Sequence, residues 1–267
     1  MRVNNLQDFY FSQSALKVFN TCSLKFRYRY LDGLFWPRDW GHNQQHKKQL
    51  EWGRLFHRLA LRYYDRGYVQ PGDYIEARLQ QWFARLQEFR PYRKQGEFLP
   101  EHELRLNQQG IRLLAKYDLM YVEPTRKKII IYDWKTNEKQ LLRDELLNDL
   151  QTVVYLYVLF KTSSYFPGDK LTADSIQLVY WNPRFPEEPM IISYSYKLQE
   201  KGERLLTAKI KEIKNYQYQD FQKTKNRKVC KYCEYRPICY GKETERIISE
   251  YEDESEDVNS FGMYTNI

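Results

Sequence analysis

Apolar residues recur every three or four positions toward both ends of the chain and every second position in its middle. In LEWGRLFHRLALRYYDRG, Trp52, Phe56, Leu59 and Tyr63 fall at helical spacing, and Gly67 stops the pattern. Upstream, SQSALKVFNTCSLKFRYRYLDGL places Leu16, Phe19 and Leu24 on a helix capped by Ser12 or Ser14. Residues 36–49 read as a loop, and DYIEARLQQWFARLQEF is a further helix that ends before Pro91. The period then shortens. EHELRLN, IRLLAKYDLMYV and KKIIIYDW read as three successive strands, divided by turn signals at QQG and EPTR. A helix returns in RDELLNDLQTVVYLYVLFKTS, two more strands follow in DSIQLVYWNP and PMIISYSYK, and residues 198–218 form a charged amphipathic helix. Strands grouped between flanking helices predict an α/β fold around one mixed sheet.

Length and composition agree with a folded chain: 267 residues, 42% of them hydrophobic, suffice for a real core. The longest apolar run, TVVYLYVLF, is half of the roughly 18–20 residues that a membrane span needs. With no signal-peptide pattern at the start, the expectation is a cytoplasmic protein without a membrane partner. The formal charge of +8 is unevenly spread, because residues 242–267 hold eight acids against Lys242 and Arg246. That acidic tail carries −6 and leaves +14 on residues 1–241, a balance suited to a polyanion such as nucleic acid.

Two of the strands contain acids where a core prefers Val or Ile. If the turn of KYDLMYVEPTRKKIIIYDWKT centres between Thr125 and Arg126, Asp118 faces Asp133 across the hairpin, about 4.5–5.5 Å apart at Cβ. Opposed like charges destabilise a sheet unless something positive lies between them. Lys135 shares a strand face with Asp133. Two carboxylates and an ammonium at one strand end suit a hard cation such as Mg²⁺ together with phosphate oxygens. His57 on the earlier helix is a further candidate ligand. Gln151 and Tyr155, four apart on the next helix, present one face.

The four cysteines make one pattern. CKYCEYRPIC supplies Cys230, Cys233 and Cys239, and Cys22 provides a fourth thiolate from the first helix. In a reducing compartment such a set holds an iron–sulfur cluster or a tetrahedral zinc and closes a very long loop. Spacing alone leaves both open.

Together these segments resemble the PD-(D/E)XK nucleases, in particular the RecB/AddB-like branch with an iron–sulfur staple, which is related to the exonucleases of CRISPR adaptation. GRLFH matches the family's G-x-x-x-H element, AKYD its G-x-x-D strand, DWK its (D/E)-x-K strand and QTVVY its Q-x-x-x-Y helix. Ala115 stands where the family often has glycine, and Ser23 where proline usually follows the first cysteine. The resemblance implies a restriction-endonuclease-like nuclease domain over 1–241, its N- and C-terminal segments joined by the four-cysteine cluster. The acidic tail, 242–267, has no counterpart in it.

The resemblance also implies roles. His57, Asp118, Asp133 and the backbone carbonyl of Trp134 would hold Mg²⁺ or Mn²⁺. Lys135 would be catalytic, while Gln151 and Tyr155 would support the site and contact DNA. Cys22, Cys230, Cys233 and Cys239 would hold a 4Fe-4S cluster, with Zn²⁺ as the alternative. Arg27, Tyr28 and Arg29 would guide a DNA strand, single or with a free end. No G-x-x-x-x-G-K-[ST] motif is present, so a helicase motor would be a separate partner. Rival readings are a DNA-trimming nuclease of CRISPR adaptation, a noncatalytic DNA-binding or scaffolding subunit of the same fold, and a zinc-ribbon interaction protein.

Overall fold

The structure, a computed structural model, describes residues 6–34, 44–67, 76–125, 127–166 and 171–241. In chain order these form β1 (Phe11–Ser12), α1 (Gln13–Thr21), α2 (Ser23–Phe26), α3 (Gln44–Arg66), α4 (Ala77–Phe89), β2 (Glu97–Gln108), β3 (Ile111–Val122), β4 (Ile129–Trp134), α5 (Arg143–Asn148), α6 (Leu150–Thr162), β5 (Ile176–Trp181), β6 (Met190–Ser193), α7 (Tyr196–Asn215) and α8 (Arg236–Tyr240). A π-helical turn, Arg27–Leu31, follows α2. The acidic tail, Arg126 of the hairpin turn and residues 36–43 of the expected loop lie outside the described residues. Residues 44–49 of that loop are helical and open α3. Contacts divide the described residues into two compact units. One lies within Tyr10–Gln13 and Glu51–Ile210, the other within Met1–Phe9, Ser14–Leu50 and Lys211–Ile267.

The larger unit holds the mixed sheet. β2 runs antiparallel along the whole of β3, from Glu97 opposite Val122 to Gln108 opposite Ile111. The joining turn puts Gln109 and Gly110 at φ 49° and 77°, the left-handed pair of a tight hairpin, which locks this register. With β2 on one edge of β3, the other edge is shared. β1 pairs there in parallel with Leu113 and Leu114, and β4 pairs antiparallel with Leu119 through Val122. β5 then continues parallel to β4, and β6 antiparallel to β5.

Aromatic packing fixes one layer. α3 contributes Phe56, Leu59, Ala60, Tyr63 and Tyr64, and α4 contributes Leu79, Trp82, Phe83 and Leu86; both bury these against Leu119, Tyr132, Trp134, Val179 and Trp181. Helical spacing on α3 and α4 and period two on the strands are what bring these residues to one interface. α6 is buried on nearly every side, from Val154 to Leu159, and Tyr117 donates its hydroxyl to the Tyr155 carbonyl there at 3.0 Å. Tyr117 thus meets α6 while Leu119, two positions on, meets the α3–α4 layer. Strict alternation would put both on one face, so β3 changes its facing around Asp118.

Two helices expected to be continuous are interrupted, each at a residue with site chemistry. Cys22 adopts φ −161° and ψ 111°, separating α1 from α2. Asp149, at φ −68° and ψ 135°, separates α5 from α6, and its carboxylate accepts the Gln151 N–H at 2.6 Å. A capping aspartate satisfies orphan amides and favours a helix start over continuation. The pattern does not predict β1 or α8, and elsewhere the differences are at element ends: β2 begins at Glu97, and the amphipathic helix is Tyr196–Asn215.

In the smaller unit the N- and C-terminal segments meet. Ser23 Oγ donates to the Gln222 carbonyl and accepts the Gln222 N–H, at 3.1 and 3.0 Å. That exchange gives Ser23 a job that proline lacks the hydroxyl to do. Phe26 stacks on Phe221 with centroids 6.0 Å apart, and Phe19 meets both edge-on. Glu234 is buried but paired with Lys25 at 2.7 Å and with Arg29, which offsets the cost of burying its charge.

Candidate active site

The β3–β4 register pairs Leu119 with Tyr132 and Val122 with Ile129, the register in which Asp118 stands opposite Asp133. Both acids are nearly inaccessible, Asp133 at 1% exposure and Asp118 at 9%. Asp118 is held at both oxygens: Oδ1 lies 3.2 Å from His57 Nδ1, and Oδ2 accepts the Trp134 N–H at 2.7 Å. An ionised carboxylate only accepts, so Nδ1 carries the hydrogen of that contact. Asp133 Oδ1 accepts from Gln151 Nε2 at 2.6 Å, and Lys135 Nζ donates to Gln151 Oε1 at 2.8 Å. Lys135 Nζ also lies 2.6 Å from Asp133 Oδ2. Oδ2 is buried, and this ion pair is its charge partner.

Local sequence places each group. Gly53, one turn before His57 on α3, lets the helix approach Thr136: a Cβ at Gly53 would stand 2.8 Å from Thr136 Oγ1. The Asp149 cap fixes the first turn of α6 and with it Gln151. Tyr155, at 1% exposure, packs edge-on to Tyr117 behind Gln151. Lys135 continues β4, its N–H bonded to the Trp181 carbonyl at 2.8 Å and its ammonium 5.2 Å from the Tyr180 ring centre.

The electrostatics follow from burial and pairing. Burial raises the Asp133 carboxyl to about 6; neighbouring Asp118 adds to the rise, and Lys135 opposes it. Burial also works against charge on Asp118, but His57 and the Trp134 N–H outweigh it and hold Asp118 below the usual carboxylate range. Burial would lower His57 and Lys135, yet Asp118 and Asp133 respectively keep each above its ordinary value. Asp133 is therefore the strained member: a carboxylate that burial disfavours and that Lys135 only partly compensates.

Glu101 is the residue that the sequence reading missed. Its carboxylate, a His57 ring nitrogen and an Asp118 oxygen all lie within 4.8 Å of one another. Glu101 sits opposite Asp118 across β2 and β3, at φ 51° in mid-strand, and pairs with Lys116 at 2.7 Å. A non-glycine residue in the left-handed region costs about 1–3 kcal/mol, and such strain gathers at functional positions. The signal was available, because the QQG turn fixes the β2–β3 register as the EPTR turn fixes that of the hairpin. His57, Glu101 and Asp118 are a donor set suited to a hard divalent cation.

The sequence matches the profile described as PD-(D/E)XK nuclease superfamily over residues 10–240. The chain belongs to that superfamily. Its restriction-endonuclease-like architecture, a mixed sheet flanked by helices, agrees with the observed fold, and the chain is a nuclease by family. Among solved structures, one from Eubacterium rectale named "Putative exonuclease" aligns at 14% identity with TM-score 0.48, covering 79% of this chain and 82% of its own. No curated protein matches. No helix among the described residues is long and apolar enough to cross a membrane.

The remaining expected residues lie in the smaller unit. Cys22, Cys230, Cys233 and Cys239 line one small cavity with Lys25, Lys223 and Arg236. Burial raises the thiols of Cys230, Cys233 and Cys239, that of Cys233 to about 11. Arg27 lies over the Tyr218 ring at 4.3 Å and pairs with Asp32, while Arg29 is engaged by Glu234.

Proposed function

We propose that the chain is a Mg²⁺- or Mn²⁺-dependent deoxyribonuclease of the RecB/AddB-like branch, acting as an exonuclease on DNA ends. The observation that carries this reading is the grouping of His57, Glu101 and Asp118 within 4.8 Å of one another, next to the buried Asp133–Lys135 ion pair. His57, Glu101, Asp118 and Asp133, with the Trp134 carbonyl, would hold one or two divalent ions. Such an ion supplies a nucleophilic water and neutralises charge on the scissile phosphate.

The protein's own groups do the rest. Gln151 aligns Lys135 and Asp133 through its two amide ends. Lys135 is held protonated by Asp133, so it serves as a donor that orients the attacking water and stabilises charge developing on the phosphoryl oxygens. Tyr155, buried behind Gln151, positions that side chain rather than touching the strand. Arg27, Tyr28 and Arg29 would guide the strand from the N-terminal segment, Arg27 exchanging its Asp32 partner and Arg29 its Glu234 partner for phosphate.

The four cysteines around one cavity would hold a 4Fe-4S cluster, with zinc as the alternative. The family resemblance sets the activity in DNA repair, recombination or defence, with ends supplied by a helicase or a CRISPR-adaptation partner.

The test is hydrolysis of end-labelled single- and double-stranded DNA with each metal. The wild type should degrade one or both, and Asp133→Ala and Lys135→Ala should abolish degradation. Equal activity in the variants would defeat the assignment. An anaerobic visible spectrum with iron and sulfide analysis tests the cluster, for which a colourless, zinc-loaded protein is the opposing result.

A further inference from the structure

Beside the acidic site the larger unit carries two arginines laid on indoles. Arg184, just after β5, sits with its guanidinium carbon 4.9 Å from the Trp82 ring centre, and its Nε donates to the Thr136 carbonyl at 3.1 Å. Arg78, in the first turn of α4, lies 4.1 Å from the Trp52 ring centre, and the Trp52 indole N–H donates to Glu76 at 2.7 Å. Thr136 follows Lys135 directly, and Trp52 precedes Gly53, the residue packed on Thr136. β4 and β5 run parallel, so the chain leaving Trp181 toward Arg184 opens on the same sheet edge as Lys135. Both arginines therefore border the exit of the catalytic strand.

Neither makes an ion pair with a carboxylate among the described residues. Glu138 supports the Arg184 charge from beyond pairing distance, whereas burial and the nearby Arg78 charge both disfavour it. Two like charges set side by side and braced on aromatic faces are a costly arrangement until an anion arrives between them. Guanidinium bound to phosphate through a planar fork is the pairing such bracing prepares, because little side-chain freedom is left to lose.

We propose that Arg78 and Arg184 form a phosphate rail, binding backbone phosphodiesters of a nucleic-acid strand next to the scissile bond. The proposal rests on the nuclease reading and names the subsite that holds the strand outside the chemistry. Trp52 and Trp82 are its supports.

The experiment measures binding of a fluorescent single-stranded oligonucleotide, in chelator to prevent cleavage, across a salt series. Wild type, Arg78→Gln, Arg184→Gln and Arg184→Lys are compared. Each Gln variant should bind about tenfold more weakly at low salt. Each should also flatten the slope of log affinity against log salt by about 0.7, the signature of one lost phosphate contact on a single strand. Arg184→Lys should keep the slope and lose part of the affinity, because charge survives while fork and stacking do not. Arg78 is exposed, so its variant keeps the test alive should Arg184→Gln fail to fold. Unchanged slopes in variants of a wild type that binds and cleaves would overturn the rail alone. A wild type that neither binds nor cleaves would overturn the nuclease reading with it.

Discussion

Replacing Gly53 by alanine tests how closely α3 must approach the catalytic strand. The added methyl would meet Thr136 Oγ1 at 2.8 Å, nearer than ordinary packing allows, and Thr136 is β-branched, with little room to swing away. Overpacking of this kind costs about 1–3 kcal/mol. Alanine returns about 1 kcal/mol through its better helix propensity. The net loss in urea unfolding is thus small, about 0–2 kcal/mol, and the larger effect falls on activity. His57 lies one turn along the same helix and meets Asp118 at 3.2 Å, so an outward shift of α3 opens that contact. Misplacement approaching 1 Å costs on the order of a hundredfold in rate. Thr136→Ala should restore both properties in the Gly53→Ala background. Strand hydrolysis and urea titration of the four proteins in this cycle supply the coupling. If Gly53→Ala is more stable than wild type and fully active, the close approach has no functional weight and the reasoning fails.

Glu101→Asn, which tolerates a left-handed backbone, should leave unfolding within about 1 kcal/mol of wild type while weakening divalent-ion binding by calorimetry; equal ion affinity would remove Glu101 from the site. Divalent-ion affinity should fall as pH drops through about 6, where a proton competes for Asp133, and an affinity flat down to pH 5 would contradict the burial argument. The sign for stability is opposite. A raised carboxyl stabilises the fold when protonated, so in chelator stability declines as pH rises from about 4 to 7, by up to about 3 kcal/mol, and Asp133→Asn flattens that decline. Asp149→Ala should lower stability by about 1 kcal/mol through loss of the α6 cap and reduce hydrolysis further, because Gln151 loses its anchor; unchanged kcat would refute the second effect.

Much of this was legible in the chain because it depends on period and turn geometry. Alternation along KKIIIYDW and the EPTR turn were enough to set Asp118 against Asp133, as the register places them. The four cysteines were readable as one set because none was left over. What escaped notice depends on tertiary context. The turn register alone puts Glu101 opposite Asp118, but nothing local marks its left-handed backbone or its nearness to His57. The breaks at Cys22 and Asp149 fall inside unbroken apolar periodicity, where a single polar side chain decides and the period says nothing. Arg78 and Arg184 share a site only because α4 and the end of β5 converge, a pairing that no local pattern encodes.

The meander β2–β3–β4 also bears on how the chain reaches its fold. Glu101, Asp118 and Asp133 come from three consecutive strands joined by short turns, the most local and lowest-contact-order part of the sheet. Two of their counter-charges are equally local: Lys116 on β3 pairs with Glu101, and Lys135, just past β4, pairs with Asp133. Only Asp118 waits for a partner from elsewhere, His57 on α3. A chain that builds its acids and most of their counter-charges in one meander depends little on its surroundings for compensation during assembly.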